Sequence, residues 1–146
     1  MRRCQPGFNL LEITLSIGLI LVLADISFSI GNYFYQKNCL DNSISQLKSA
    51  IALTKNRAKG QENDDVWGIL AEKNNLVIFQ GSSYSESDPN NYSEKFYCGT
   101  DVKPSPEGPL FFNKQSGFPQ GEKIFYFANG KLLSSLFINN YGIISQ

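Results

Sequence analysis

The chain contains no histidine, one tryptophan and three cysteines in 146 residues. Without an imidazole it lacks the side chain most often used for proton transfer near neutral pH, and a leading zinc ligand. Cys4, Cys39 and Cys98 form no close pair, so the spacing of a zinc site is missing too. There is no Gly-x-Ser-x-Gly elbow, no phosphate-binding loop and no dinucleotide fingerprint. An enzyme is therefore not expected, nor a cofactor or small-molecule substrate. An excess of either charge is also missing, with 13 Lys and Arg against 13 Asp and Glu, so no general attraction to nucleic acid is expected. Finally, no proline occurs from Phe8 to Asp88, and nothing there forces a helix to break.

What is present is a long apolar run. Phe8 to Ile30 is a 23-residue stretch with two charges, Glu12 and Asp25. As an α-helix it would be about 34 Å long, enough to cross a hydrocarbon core of ~30 Å. Arg2 and Arg3 precede it without an acid, so residues 1–7 are expected in the cytoplasm and everything after Ile30 outside the membrane. The length allows one modest domain behind this anchor. Loss of Arg2 and Arg3 with residues 1–7 would leave a net charge of −2.

A carboxylate in the bilayer costs roughly 2.5–3.5 kcal/mol even on mild insertion scales, so Glu12 calls for a partner. The string Gly7-Phe8-Asn9-Leu10-Leu11-Glu12 resembles the processing site of type IV prepilins and type II secretion pseudopilins, with Glu at the fifth position counted from Phe8. Pro6 stands where Lys or Arg is usual, and Asn9 where Ser or Thr is commoner. The resemblance implies that a membrane aspartyl peptidase cuts between Gly7 and Phe8 and methylates the new Phe8 amine. It also implies that Glu12 pairs with the Phe8 ammonium of a neighbouring subunit. Such a pair is tolerated when complete and costly when one partner is removed. An ordinary secretory signal is the rival, with Ser27-Phe28-Ser29 as a loose small-x-small site. Its apolar region is typically 7–15 residues, shorter than this run.

Past the membrane, Tyr33, Leu40, Ile44, Leu47, Ile51, Thr54 and Ala58 recur at helical spacing. The pattern predicts one helix from Phe8 to Lys59, about 78 Å long, apolar all round at first and amphipathic later. Gly60 is placed to end it, and Lys55, Arg57 and Lys59 suit its negative end. Asp25 lies 17 residues beyond Phe8, about 26 Å along the axis. It either reaches headgroup water or meets a basic residue of another subunit. Cys4 would leave with the leader. Cys39 and Cys98 are then either a disulfide tying the helix to the later domain or two separate buried thiols.

The rest reads as short strands and turns. Residues 61–65 form a solvated turn, or less specifically an oxygen site for calcium. Val66–Leu70 and Leu76–Phe79 flank Lys73-Asn74-Asn75 as a hairpin. Ser82–Glu94 reads as a loop and Phe96–Cys98 as a short strand. Pro104, Pro106 and Pro109 argue against regular structure before Leu110. Leu110–Phe112, then Ile124–Ala128 and Lys131–Ile138 around Asn129-Gly130, complete the strands, followed by a turn at Asn139–Gly142 and a final Ile143-Ile144. Most of the eleven phenylalanines are expected in the small core. Phe112 to Gly117 (F-x-x-x-x-G) and Leu136 to Gly142 resemble elements of the H-type minor pseudopilins and FimT-like minor pilins. In some FimT-like proteins basic residues after the last glycine engage DNA, but Ile143-Ile144-Ser145-Gln146 has none.

The sequence thus predicts an α+β, pilin-like protein: leader 1–7, membrane and filament-core helix 8–30, amphipathic continuation 31–59, and a small antiparallel β-rich head 60–146. The resemblance implies a minor pilin or pseudopilin of a type IV pilus, type II secretion or DNA-uptake filament. Its partners would be the prepilin peptidase, other pilin or pseudopilin subunits and an inner-membrane assembly platform. It would sit in the bacterial inner membrane by a single pass, then in a periplasmic or cell-surface filament. The alternatives are a tethered binding protein that never polymerises and a DNA-uptake receptor.

Overall fold

The computed structural model describes residues 9–60 and 65–146. The chain divides into two compact units, one ending at Tyr35 and one running Gln36–Gln146. A single helix, α1 (Leu10–Lys59), supplies the first and opens the second. The absence of proline and the helical recurrence of apolar residues explain its length. It ends where expected, with the Gly60 N–H donating to the Asn56 carbonyl at 2.8 Å.

In the second unit the stripe on α1 nucleates the head. Leu40, Ile44, Leu47, Ile51, Thr54 and Ala58 are all buried. Tyr33, from the same predicted stripe, is exposed because it lies in the first unit. Two four-stranded antiparallel sheets surround the stripe. The first has the order β3-β2-β1-β5, from β1 (Trp67–Glu72), β2 (Asn75–Gln80), β3 (Tyr92–Lys95) and β5 (Leu110–Phe112). The second has the order β4-β6-β7-β8, from β4 (Asp101–Ser105), β6 (Lys123–Asn129), β7 (Leu132–Ile138) and β8 (Ile144–Ser145). Alternation along the strands sends Ile69, Phe125, Phe127, Leu136 and Ile138 inward to meet the helix residues in one apolar core. This is the long helix and small antiparallel head that the sequence predicts.

Three strand-level expectations are corrected. Residues 92–94, expected to be loop, form edge strand β3 together with Lys95, paired to β2 from Ile78↔Tyr92 to Asn75↔Lys95. Phe96–Cys98 is not a strand. Tyr97–Gly99 is a 3-10 turn in which Cys98 takes a left-handed conformation (φ 53°), and the N–H and hydroxyl of Thr100 both donate to the Tyr97 carbonyl. Pro104 does not prevent β4. The N–H and carbonyl of Val102 face Lys73, away from β6, and Pro104, two residues on, shares that outer side where no ladder donor is needed.

Fewer phenylalanines are buried than expected. Phe79, Phe96, Phe112, Phe125 and Phe127 are buried, whereas Phe28, Phe34 and Phe118 are exposed. Phe79 packs over Gly68, edge-on to Tyr84 and Phe111, on the side of its sheet away from the main core. Lys123 is buried at the start of β6. Its Nζ donates to the carbonyls of Gly108 (2.6 Å) and Pro109 (3.1 Å), closing that loop, and burial holds its pKa below the usual lysine range.

Two further ties hold α1 in the head. Cys39 and Cys98 are joined by a disulfide with Cα atoms 5.7 Å apart, fixing the first buried turn of the helix to the 3-10 turn. The loop after β5 seals the other end: the Gln115 N–H donates to the Ala58 carbonyl. Gly117 (φ 65°) lies so close that an added Cβ would stand 2.8 Å from the Lys55 carbonyl oxygen.

Two outcomes are expected in thermal or denaturant unfolding of the full chain in detergent. Cys39→Ser should lose about 4 kcal/mol, the loop-closure value for a cross-link spanning 59 residues. Gly117→Ala should lose at least about 2 kcal/mol, from the left-handed conformation and the clash with helix backbone that cannot give way.

Candidate functional site

The described part of the first unit is α1 from its start to Tyr35. Asn9 opens the helix, its carbonyl accepting the N–H of Glu12 (2.9 Å) and of Ile13 (3.3 Å). Glu12 therefore stands in the first turn, at the positive end of the helix dipole. Apolar side chains emerge on every side, from Leu10 (77% exposed) through Leu15, Leu19 and Leu23 to Phe28 (78% exposed). The segment is long and apolar enough to cross a membrane. Three of its hydroxyls bond within the helix: Thr14 donates to Leu11 O, Ser16 to Glu12 O and Ser27 to Leu23 O, at 2.7–3.0 Å. Among the described residues nothing pairs with the carboxylates of Glu12 and Asp25. They are 13 residues, about 20 Å, apart along the axis. A surface of this kind is stable only against lipid or other apolar helices.

Of the predicted site residues, Gly7 and Phe8 lie outside the described residues, as does most of the turn at 61–65. Asp65 is described: it accepts from the Val66 N–H and from the Gln80 amide. Cys39 and Cys98 are brought together. The two glycines of the F-x-x-x-x-G element and the last strand-to-turn element converge on one helix residue. Lys55 packs on Gly117, and its Nζ lies where a Cβ on Gly142 would approach within 3.2 Å. The same Nζ stands 5.7 Å over the Phe118 ring, which meets Tyr141 edge-on. The cation beside Gly142 thus comes from α1, not from the residues that follow the glycine.

Sequence reasoning missed a groove of about 420 Å³ between α1 and the β3 edge. Gln46, Ser49 and Leu53 line its helix side, and Tyr92, Glu94 and Tyr97 the other. The Gln46 amide nitrogen donates to the Glu94 carboxylate (2.9 Å) and to the Lys95 carbonyl (3.2 Å), while the Tyr92 hydroxyl donates to the other Glu94 oxygen. These two donors, Tyr92 first, hold the Glu94 carboxyl below its usual range, and Glu94 in turn raises the Tyr92 phenol. The one available signal was the alternation of Tyr92, Glu94 and Phe96 with Ser93 and Lys95 inside a stretch otherwise rich in loop formers.

No protein-family model matches the chain, and no curated protein matches it. Among solved structures it is similar to the minor pseudopilin EpsH of the Type 2 Secretion System of Vibrio cholerae. The TM-score is 0.53 at 12% identity, over 73% of this chain and 94% of that one. At that identity the likeness establishes a pseudopilin-like fold.

The Tyr92–Glu94 contact carries a pH consequence. Glu94 has a depressed folded pKa, so its contribution to stability is complete above the unfolded value near 4.5 and is lost as pH falls through the folded value. Tyr92→Phe should raise the folded Glu94 pKa towards that value, read by carboxyl-carbon NMR titration, and shrink the acid-side loss.

Proposed function

We propose that the chain is a filament subunit, a minor pilin or pseudopilin of a type IV pilus or a pilus-like secretion or DNA-uptake machine. The observation that carries this reading is the first half of α1: apolar on every side, with a carboxylate in its first turn that has no partner among the described residues, joined to a head of pseudopilin-like fold. In this reading a prepilin peptidase removes residues 1–7 and methylates the Phe8 amine. Glu12 then receives that amine from a neighbouring subunit. The apolar helices leave lipid at an inner-membrane assembly platform and pack on one another. The head stays outside the cytoplasm, first beside the membrane and then on the filament.

A membrane-tethered binding protein would need the same apolar helix but no carboxylate in its first turn. Glu12→Ala separates the two readings. Breaking one side of a buried ion pair costs about 3–5 kcal/mol, over a hundredfold in an association constant. The variant is expected to reach the membrane at the wild-type level and to be lost from the sheared or secreted filament fraction. Normal incorporation would reject the assembly mechanism.

A further inference from the structure

Asp25 is the charge of the apolar segment that the role of Glu12 leaves unexplained. Within about 20° of it around the helix stand Thr14, Gly18 and Asn32, and no apolar residue of the described first unit does. Ser29 lies about 40° away, whereas Glu12 is turned about 140° from it. A narrow seam of small and polar residues therefore runs along one side of the apolar helix, away from Glu12. Apart from its own turn of helix, an added Cβ on Gly18 would meet nothing within 4 Å, so the chain itself leaves that notch unfilled. Small residues of this kind let a second helix approach closely in a membrane.

Headgroup water does not serve this carboxylate. Tyr33, Phe34 and Tyr35, the exposed aromatics suited to a membrane interface, begin 8 residues farther along the helix, about 12 Å. Helix side chains lean towards the N-terminus, so the short Asp25 side chain points away from that interface. A second copy does not serve it either. In the filament reading, residues 8–36 carry two acids, Glu12 and Asp25, and one cation, the Phe8 amine, since no Lys or Arg occurs between Arg3 and Lys37. Each added copy brings two acids and one amine, so copies packed on one another leave one carboxylate per chain uncompensated. The missing cation has to come from a different protein.

We propose that the seam from Thr14 to Asn32 is a docking face for the apolar helix of a different membrane protein, and that Asp25 pairs there with a lysine or arginine of that helix. Close approach at Gly18 and the ion pair at Asp25 together fix the depth and rotation of two helices that apolar contact alone leaves free to slide. The pair forms in the membrane, before any assembly. The proposal rests on the filament-subunit reading, which assigns the Phe8 amine to Glu12. A subunit that cannot balance its charge on copies of itself suits the minor role in that reading.

The test places a photo-crosslinking residue at Ser29 of the full-length protein, in the cells that make it, and identifies the adduct by mass spectrometry. The expected partner peptide is an apolar membrane segment of a different protein with a lysine or arginine inside it. Asp25→Asn should lower the adduct yield at least fivefold at an unchanged membrane level. Gly18→Leu should do the same, because its Cβ meets nothing else of its own chain. Asp25→Lys, combined with exchange of the captured lysine or arginine for aspartate, should restore the yield. Capture of a second copy, of lipid alone or of a segment without a cation overturns the proposal, as does no adduct or a yield indifferent to Asp25→Asn. The expected adduct on a chain that still begins at Met1 supports the docking and rejects the filament reading. A chain beginning at Phe8 without the adduct rejects the docking and leaves the filament reading standing.

Discussion

The first half of α1 has no inside. Its leucines and isoleucines point outward around the full circumference, and the hydroxyls of Thr14, Ser16 and Ser27 are already satisfied by the helix's own carbonyls. Water cannot be the partner of such a surface, so it needs hydrocarbon, from lipid tails or from like helices. Van der Waals contact alone distinguishes those two media poorly, because lipid is as apolar as leucine. A charge that is costly in lipid and can be neutralised by another subunit makes the distinction. In the proposed filament reading Glu12 provides it, at the start of the helix and without a partner among the described residues.

The second half of the helix solves the opposite problem. From Leu40 to Ala58 one stripe is buried against two sheets, and among the described residues the head has no other α-helix on which to build a core. Attachments at both ends reinforce this packing: the Cys39–Cys98 disulfide where burial begins, and the Gln115 and Gly117 contacts where the helix ends. Beside the buried stripe, acceptors and aromatics line one flank of the helix, and on the other Lys48 and Lys55 are held by Gln146 and Phe118.

The sequence made legible whatever depends on local spacing. The extent of α1 followed from missing prolines and a 3- and 4-residue rhythm, and the hairpins from Asn-bearing turns. What it concealed depends on partners distant in sequence. Pro104 looked like a breaker because nothing local shows that its missing N–H faces an open edge. Tyr92–Glu94 looked like loop because its strand character comes from pairing with β2. Nothing local to Lys123 shows that it is buried, yet two carbonyls some fifteen residues upstream accept its ammonium. The groove was hidden for the same reason, since Gln46 and Glu94 meet only when the helix and β3 come together.

The central claim is that removal of residues 1–7 creates the amine that Glu12 awaits, so that helix replaces lipid around the apolar segment. The most direct measurement is the intact mass and N-terminal peptide of the protein taken from the membranes of the cells that make it. A chain beginning at methylated Phe8 is the predicted result. A chain still beginning at Met1, or starting beyond Ser29, would contradict it.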